Sequence, residues 1–384
     1  MANTLGAYNP IFFANEALIW LNKSLGMASR VHRGYEAERT TYGRSDTIRI
    51  RRPSAFTAQS APSSAQDLKT ETVNITLSQW KEVKFSISDK ELAYTNDIII
   101  REHIAPAAYA LADIVDQDLA ALYKDIPWLY DYGTATDHTI ITGEYGVLFN
   151  NRVPMMPGKI HMMVDSTLQT YFQNSQVFHS AQVVGGTENQ NTLMMGHLGT
   201  RFNVEVFANQ NTPTHTPGTA AQTAGDNAGA VNGAHSAGAT SLAVNGFTGT
   251  ETLKAGDTFG IAGNTQRYAV TADVTFSSGA GTLTITPGLA AALSGTEVVT
   301  VTKQTDTAHS QILMFHEHAF ALAMAPLPDR IPGMEVATVA DPVSGLAVRA
   351  RIFPDGANSA LVIALDCLYG VKTLNPNLAA RGWT

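Results

Sequence analysis

The 384-residue sequence has one cysteine, Cys367, so no internal disulfide can hold the chain together, and stability must come from packing or association. Charge is also scarce. Asp, Glu, Lys and Arg make up 15% of residues, against about 25% in ordinary soluble domains, which suggests that something else, such as identical neighbours, covers much of the surface. The formal net charge of -8 excludes a global positive field for coating nucleic acid, yet leaves room for a local basic patch. No apolar run approaches the roughly 18 residues of a membrane span. The opening MANTLGAYNPIFFANEALIW lacks a basic region and a small-residue cleavage site. Neither signal-peptide export nor a membrane partner is expected, and folding in a reducing cytoplasm is.

Catalytic motifs are missing as well. There is no Gly-rich phosphate loop followed by Lys-Ser or Lys-Thr, and no GxSxG elbow. Cys367, within VIALDCLYGV, reads as a buried, inert thiol. Asp89, Glu91, Asp113, Asp116 and Asp118 read as the polar face of a helix and its approach rather than as paired catalytic carboxylates. FHEHAF sets His316 and His318 around Glu317, whereas zinc hydrolases place two histidines at i and i+4 of one helix. Two positions apart on a helix they face different ways, so they read as surface or interface histidines. Neither enzymatic activity nor a cofactor or metal is expected.

What is present is arginine in one place. Arg30, Arg33, Arg39, Arg44, Arg49, Arg51 and Arg52 fall in one window, after IFFANEALIWLNKSL, which sets Phe13, Ala17, Trp20 and Leu21 on one helical face. Ile48 and Ile50 alternate with Arg49 and Arg51, and a second alternating run, Val73, Ile75 and Leu77, follows a polar tip. The pair reads as a long two-stranded arm. Such a ribbon is marginal in water without a second layer, so it needs a partner surface for its apolar face. Its arginines suit carboxylates on that partner.

Val83, Phe85 and Ile87 then line one side of a strand. A helix is expected over 96–125, with Ile104, Ala108, Leu111, Val115 and Leu119 in its apolar stripe and a kink or a start at Pro106. Residues 126–205 read as a mixed α/β unit. The small-residue stretch 215–246 reads as an outgoing stem that ends in one strand, ATSLAVNG. GDTFGIAG, QRYAVTADVTF, GTLTITPGL and TEVVTVTKQ add short strands of a little barrel or sandwich. The return stem, 303–309, should lie near 213–219. HSQILMFHEHAFALAMAPL is helix-like, and GLAVRARIF and SALVIALDCLYGVKTL are strands of a larger sheet. Mixed sequence on both sides of an all-β unit points to an insertion into one host domain.

Read in order, several phrases resemble the major capsid proteins of tailed bacteriophages, in the branch similar to the P22 coat protein. They are VKFSISDKELAYT, IAPAAYALADIVDQDLAALYKDIP, MMGHLGTRFNVEVFANQNTPTHTPGT, LKAGDTFGIAG, YAVTADVT, FHEHAFALAMAPLP, DPVSGLAVRARIF and ALDCLYGVKTLNPNLA. The resemblance implies an α+β, HK97-like capsid fold with an inserted small all-β domain. Its parts would be an N-terminal arm (1–34), an extended β-hairpin loop (35–78), a P-domain strand and long spine helix (79–128), the first part of the A-domain (129–219), the inserted β-barrel-like domain (220–304), and the remaining A-domain with returning P-domain strands (305–384).

It also implies self-assembly into an icosahedral shell of hexamers and pentamers around double-stranded DNA, with no sequence-specific DNA binding. Scaffolding, portal and decoration (cement) proteins would be the partners, the virion the destination, and the host bacterial cytoplasm the place of assembly. Subunit contacts would fall on the arm and loop, at Trp20 and the seven arginines, and the spine-helix residues named above would pack the P-domain. Two other readings are carried: an extracellular β-rich adhesin or fibre protein, and a metal-dependent hydrolase built on His316, Glu317 and His318.

Overall fold

The computed structural model describes residues 10–33, 46–52, 71–88, 98–133, 135–180, 198–222, 228–304, 307–329, 332–341 and 346–383, with isolated positions 58, 60, 61, 64, 65, 90, 192 and 196. The chain divides into two units, one of residues 1–116 and 321–374, the other of 117–320 and 375–384.

The first unit is built on a five-stranded sheet. Its order is Phe320–Ala325, Ala360–Thr373, Leu346–Asp355, Glu335–Asp341, and Gln79–Ser88 also pairs with Ala360–Thr373. That last pairing runs from Ala360 opposite Ser88 to Tyr369 opposite Gln79, which puts Val83, Phe85 and Ile87 on one face. The helix Ile98–Ala120 continues through Pro106, which stands exposed, so the ring marks neither its start nor its end. Ile104, Ala108, Leu111, Val115 and Leu119 are all buried.

Asp116 departs from its expected place on the polar face. It is buried, and its carboxylate accepts from the backbone N–H groups of Gly26 (2.6 Å) and Ala28 (2.8 Å), pinning the single turn Met27–Ser29. Burial raises its pKa, against the pull of those N–H donors.

The helix Pro10–Ser24 buries Phe13, Ala14, Ala17 and Leu21, and it lies by strands Glu335–Asp341 and Leu346–Asp355. Trp20 is 41% exposed, contrary to its expected place on that face. At 100° per residue the stripe centres between Ala17 and Leu21, and Trp20 falls on its border.

Strands Thr47–Arg52 and Glu71–Thr76 form the expected antiparallel ribbon, with Ile48 opposite Ile75 and Ile50 opposite Val73. Its apolar face, however, does not await a neighbour. Ile48, Ile50, Ile75 and Leu77 pack on Ala321, Ala323 and Ala325 of this same chain, so the second layer that a ribbon needs is internal. The ribbon can sit this close because Gly370 has no side chain, and a Cβ there would stand 2.3 Å from the Thr76 carbonyl oxygen.

Those alanines also overturn the helical reading of HSQILMFHEHAFALAMAPL. His309–His316 and Phe320–Ala325 are strands. Every residue of Phe320–Ala325 is buried, and non-local sheet pairing overrides the helix propensity of its alanines, Leu322 and Met324.

The second unit holds a seven-stranded sheet in the order Leu129–Asp131, Ala379–Trp383, His309–His316, Ile160–Val164, Val204–Ala208, Gly199–Arg201, with Thr214–His215 paired to His309–His316. Helices Thr139–Asn150 and Ser166–Asn174 bury Ile140, Ile141, Leu148, Leu168 and Phe172 in its core. Asp165 caps the latter helix by accepting from Leu168 N–H at 2.9 Å.

The same unit contains a closed barrel: Ser241–Asn245, Gly281–Thr286, Arg267–Val270, Thr258–Ile261, Val298–Val301 and Ala228–Val231, in that order round the ring. Five strands fall in the expected segments. The remaining one, Ala228–Val231, comes from the stretch read as a stem, and the short helix Thr219–Gln222 adds Ala220 and Ala221 to the barrel core. The small residues are themselves the packing solution. A Cβ on Gly229 would lie 2.4 Å from the Phe247 ring.

Candidate functional site

The sequence-predicted contact residues are spread over the first unit rather than gathered. Arg49 is exposed on the ribbon, opposite Asn74. Arg51 and Arg52 continue the strand, while Arg39 and Arg44 lie outside the described residues. Arg30 is engaged locally, donating from Nη1 to the Gly26 carbonyl at 3.0 Å and to Ser29 Oγ at 3.3 Å. Arg33 is half-buried.

Two charged clusters escaped the sequence reading. The first is a buried junction at the foot of the barrel. His215 pairs with His309 across adjacent strands, Gln304 N–H donates to Ala221 O at 2.9 Å, and Gln311 N–H donates to Pro213 O at 2.8 Å, so the chain leaves and returns at one place.

Asp257, fully buried, fastens that place. One carboxylate oxygen accepts from Gly218 N–H (3.0 Å) and Lys254 N–H (2.7 Å), the other from His215 Nε2 (3.0 Å) and Gln304 Nε2 (3.2 Å). Because a carboxylate only accepts, His215 Nε2 is the donor to Asp257, and its Nδ1 lies 3.1 Å from the Tyr123 hydroxyl, within hydrogen-bond reach.

Arg381, also fully buried, reaches in from the last strand. It donates to Ile126 O (3.1 Å), to Gln311 Oε1 (2.8 Å) and to the carbonyl of Gly256, with its guanidinium 5.6 Å from the centre of the Tyr123 ring. Burial lowers its pKa to about 10, so it stays charged at neutral pH.

The second cluster sits on the five-stranded sheet. Arg349 grips Asp366 with two bonds, Nε to Oδ1 at 2.9 Å and Nη2 to Oδ2 at 2.5 Å. Trp80 Nε1 donates to Asp366 at 3.0 Å, and Arg351 bridges Asp366 (3.3 Å) and Glu82 (3.0 Å). The sequence signal was an acid inside the apolar run VIALDCLYGV and two arginines at alternate positions of GLAVRARIF, since a charge buried in a strand needs a partner.

The remaining candidates have plain structural roles. His316 ends its strand, and its Nδ1 accepts from His318 N–H at 3.2 Å. Burial lowers its pKa. Burial works against ionisation of Glu317, but the Lys159 ammonium at 2.6 Å outweighs it and keeps that carboxyl below its ordinary range. Among the described residues no group of three or more His, Cys, Asp or Glu is placed to hold a metal ion.

Cys367 is buried in strand Ala360–Thr373, and desolvation pushes its thiol up to about 12. Glu144, fully buried on helix Thr139–Asn150, accepts from the Tyr132 hydroxyl at 2.8 Å. Desolvation raises its pKa to about 8, outweighing the donors of Tyr132 and Met314 that favour the carboxylate. No helix is long and apolar enough to cross a membrane among the described residues.

No protein-family model and no curated protein matches the chain. Solved structures do, along nearly its whole length. The fold is shared with a chain of Mycobacterium phage Che8. The TM-score is 0.51 at 14% identity, over 93% of this chain and 90% of that one. At lower TM-scores the chain is also similar to one in the asymmetric unit of the bacteriophage PhiM1 mature capsid (0.47, 12% identity, 88% and 82% covered). Another is in the capsid of Ralstonia phage GP4 (0.47, 10% identity, 94% and 88% covered).

Proposed function

We propose that this chain is the major capsid protein of a tailed bacteriophage, a structural subunit that assembles into an icosahedral shell around double-stranded DNA and resides in the virion. The observation that carries the proposal is the fold likeness to a phage chain over 93% of this chain and 90% of that one. In finer detail the proposal is an HK97-like subunit of the P22 coat protein-like branch. The ribbon is then the extended loop, Ile98–Ala120 the spine helix, and the barrel of 228–301 the inserted domain. Hexamers and pentamers, scaffolding and portal proteins during assembly and a decoration protein outside belong to the same reading. Catalysis does not.

The ribbon's chemistry narrows how neighbours would meet. Its apolar face is already occupied by Ala321, Ala323 and Ala325, so the face left for another subunit is the polar one carrying Arg49. A guanidinium there can hold a carboxylate of the adjoining copy with two parallel bonds, in head-to-tail contacts that close around a ring. Reversing Arg49, Arg51 and Arg52 together to glutamate is expected to cut the yield of closed particles by at least tenfold while the dissociated subunit keeps its thermal midpoint. Normal particle yield removes these arginines from assembly.

A further inference from the structure

The chain enters and leaves the barrel beside one face of the seven-stranded sheet. Strand register places His309 and Gln311 on that face, with His215 opposite His309 and Trp383 opposite Gln311. Arg381, two positions before Trp383, points to the same side. The His309 ring meets that of His215 edge-on, centroids 5.8 Å apart, and lies 5.2 Å from that of Trp383. His309 itself is only 5% exposed.

The hydrogen bonds fix what His309 can tolerate. Its Nδ1 is the donor to the Thr307 carbonyl at 3.1 Å, since a carbonyl only accepts, so Nε2 is the bare nitrogen of the neutral ring. Nε2 is buried with no hydrogen-bond partner among the described residues. A proton added there makes a buried cation whose new N–H lacks an acceptor. Gln311 Nε2 and Trp383 Nε1, buried donor atoms likewise without partners, cannot receive it. Among the described residues, the titratable or charged groups facing the ring are His215 on its paired strand, Arg381 on the last strand and Asp257 at the foot of the barrel. Asp257 is already taken up by four donors, while Arg381 repels a second cation. Burial lowers the pKa of His309, and His215 and Arg381 lower it further, against the Thr307 carbonyl and Asp257. His215 differs, because Asp257 and Tyr123 stand at its two nitrogens.

We propose that His309 is an acid-sensitive latch, whose protonation releases the strand that leads the chain into the barrel from the strand that leads it out. The device does not depend on the shell reading. Because the folded pKa lies below the ordinary histidine value of 6.5, the latch is closed above that pH and loosens as pH falls through the folded value. What opens is the pairing of Thr214–His215 with His309–Ser310, together with the bond from Gln311 N–H to Pro213 O.

Hydrogen exchange of the full-length dissociated subunit at pH 7.5 and pH 5, read by mass spectrometry and corrected for intrinsic rate, tests this. Peptides covering 211–222 and 303–311 are expected to exchange roughly tenfold faster at the lower pH, while barrel strands 241–301 keep their protection. The rise should vanish in His309→Asn, whose amide can still donate to Thr307, and in His309→Phe, which keeps the ring contacts. A rise that survives in either variant assigns the sensing to another group and overturns the proposal. So does a wild type whose two stems exchange alike at both pH values. A wild-type rise of equal size across the barrel strands also overturns it, since acid then unfolds the whole barrel, and this comparison decides the matter where neither variant folds. None of these outcomes touches the shell reading.

Discussion

Arg381 joins parts of the second unit that lie far apart in sequence, for its donors reach Ile126, Gly256 and Gln311 from the last strand. Removing a buried, hydrogen-bonded cation leaves its acceptors without partners, so Arg381→Met should cost about 3 kcal/mol in chemical denaturation of the dissociated subunit. Glu144 gives a pH signature of opposite kind. Its folded pKa of about 8 lies above the ordinary carboxyl value near 4.5, so the folded state holds the proton more tightly than the unfolded state. Its contribution is complete below about pH 4.5 and is lost as pH rises through 8. Glu144→Gln should therefore flatten the fall in thermal midpoint between pH 6 and pH 9, and a wild-type midpoint unchanged over that range would contradict the assignment.

Among the elements, those with strict alternation or a long apolar stripe were legible in the sequence. The ribbon was readable from Ile48, Ile50 and Ile75 against Arg49, and the long helix from Ile104 to Leu119, because each pattern is local. What covers a face is not local. The alanines of Phe320–Ala325 read as helix until sheet pairing and the ribbon above them were seen, and Asp116 read as solvated until the Gly26 turn folded onto it.

Low-complexity sequence hid a barrel strand for the same reason: the side chain that Gly229 makes room for, Phe247, is supplied from elsewhere. Gly229→Ala should therefore destabilise the barrel by about 1–3 kcal/mol through overpacking, readable as a lower thermal midpoint. The Asp257 junction was the least legible part, since its four donors come from residues 215, 218, 254 and 304.

For the whole molecule, a single buried cysteine leaves stability to non-covalent contacts, and charge is scarce, with seven arginines gathered at 30–52. The fold adds a ribbon whose apolar face is covered within the chain and whose Arg49 is exposed, and the proposed shell joins those features to the fold shared with the phage Che8 chain. Electron microscopy of the purified full-length protein, under conditions that permit association, tests this most directly. Uniform closed shells of one or a few discrete diameters are predicted; a monomer that persists at high protein concentration, with or without added scaffolding protein, would contradict the account.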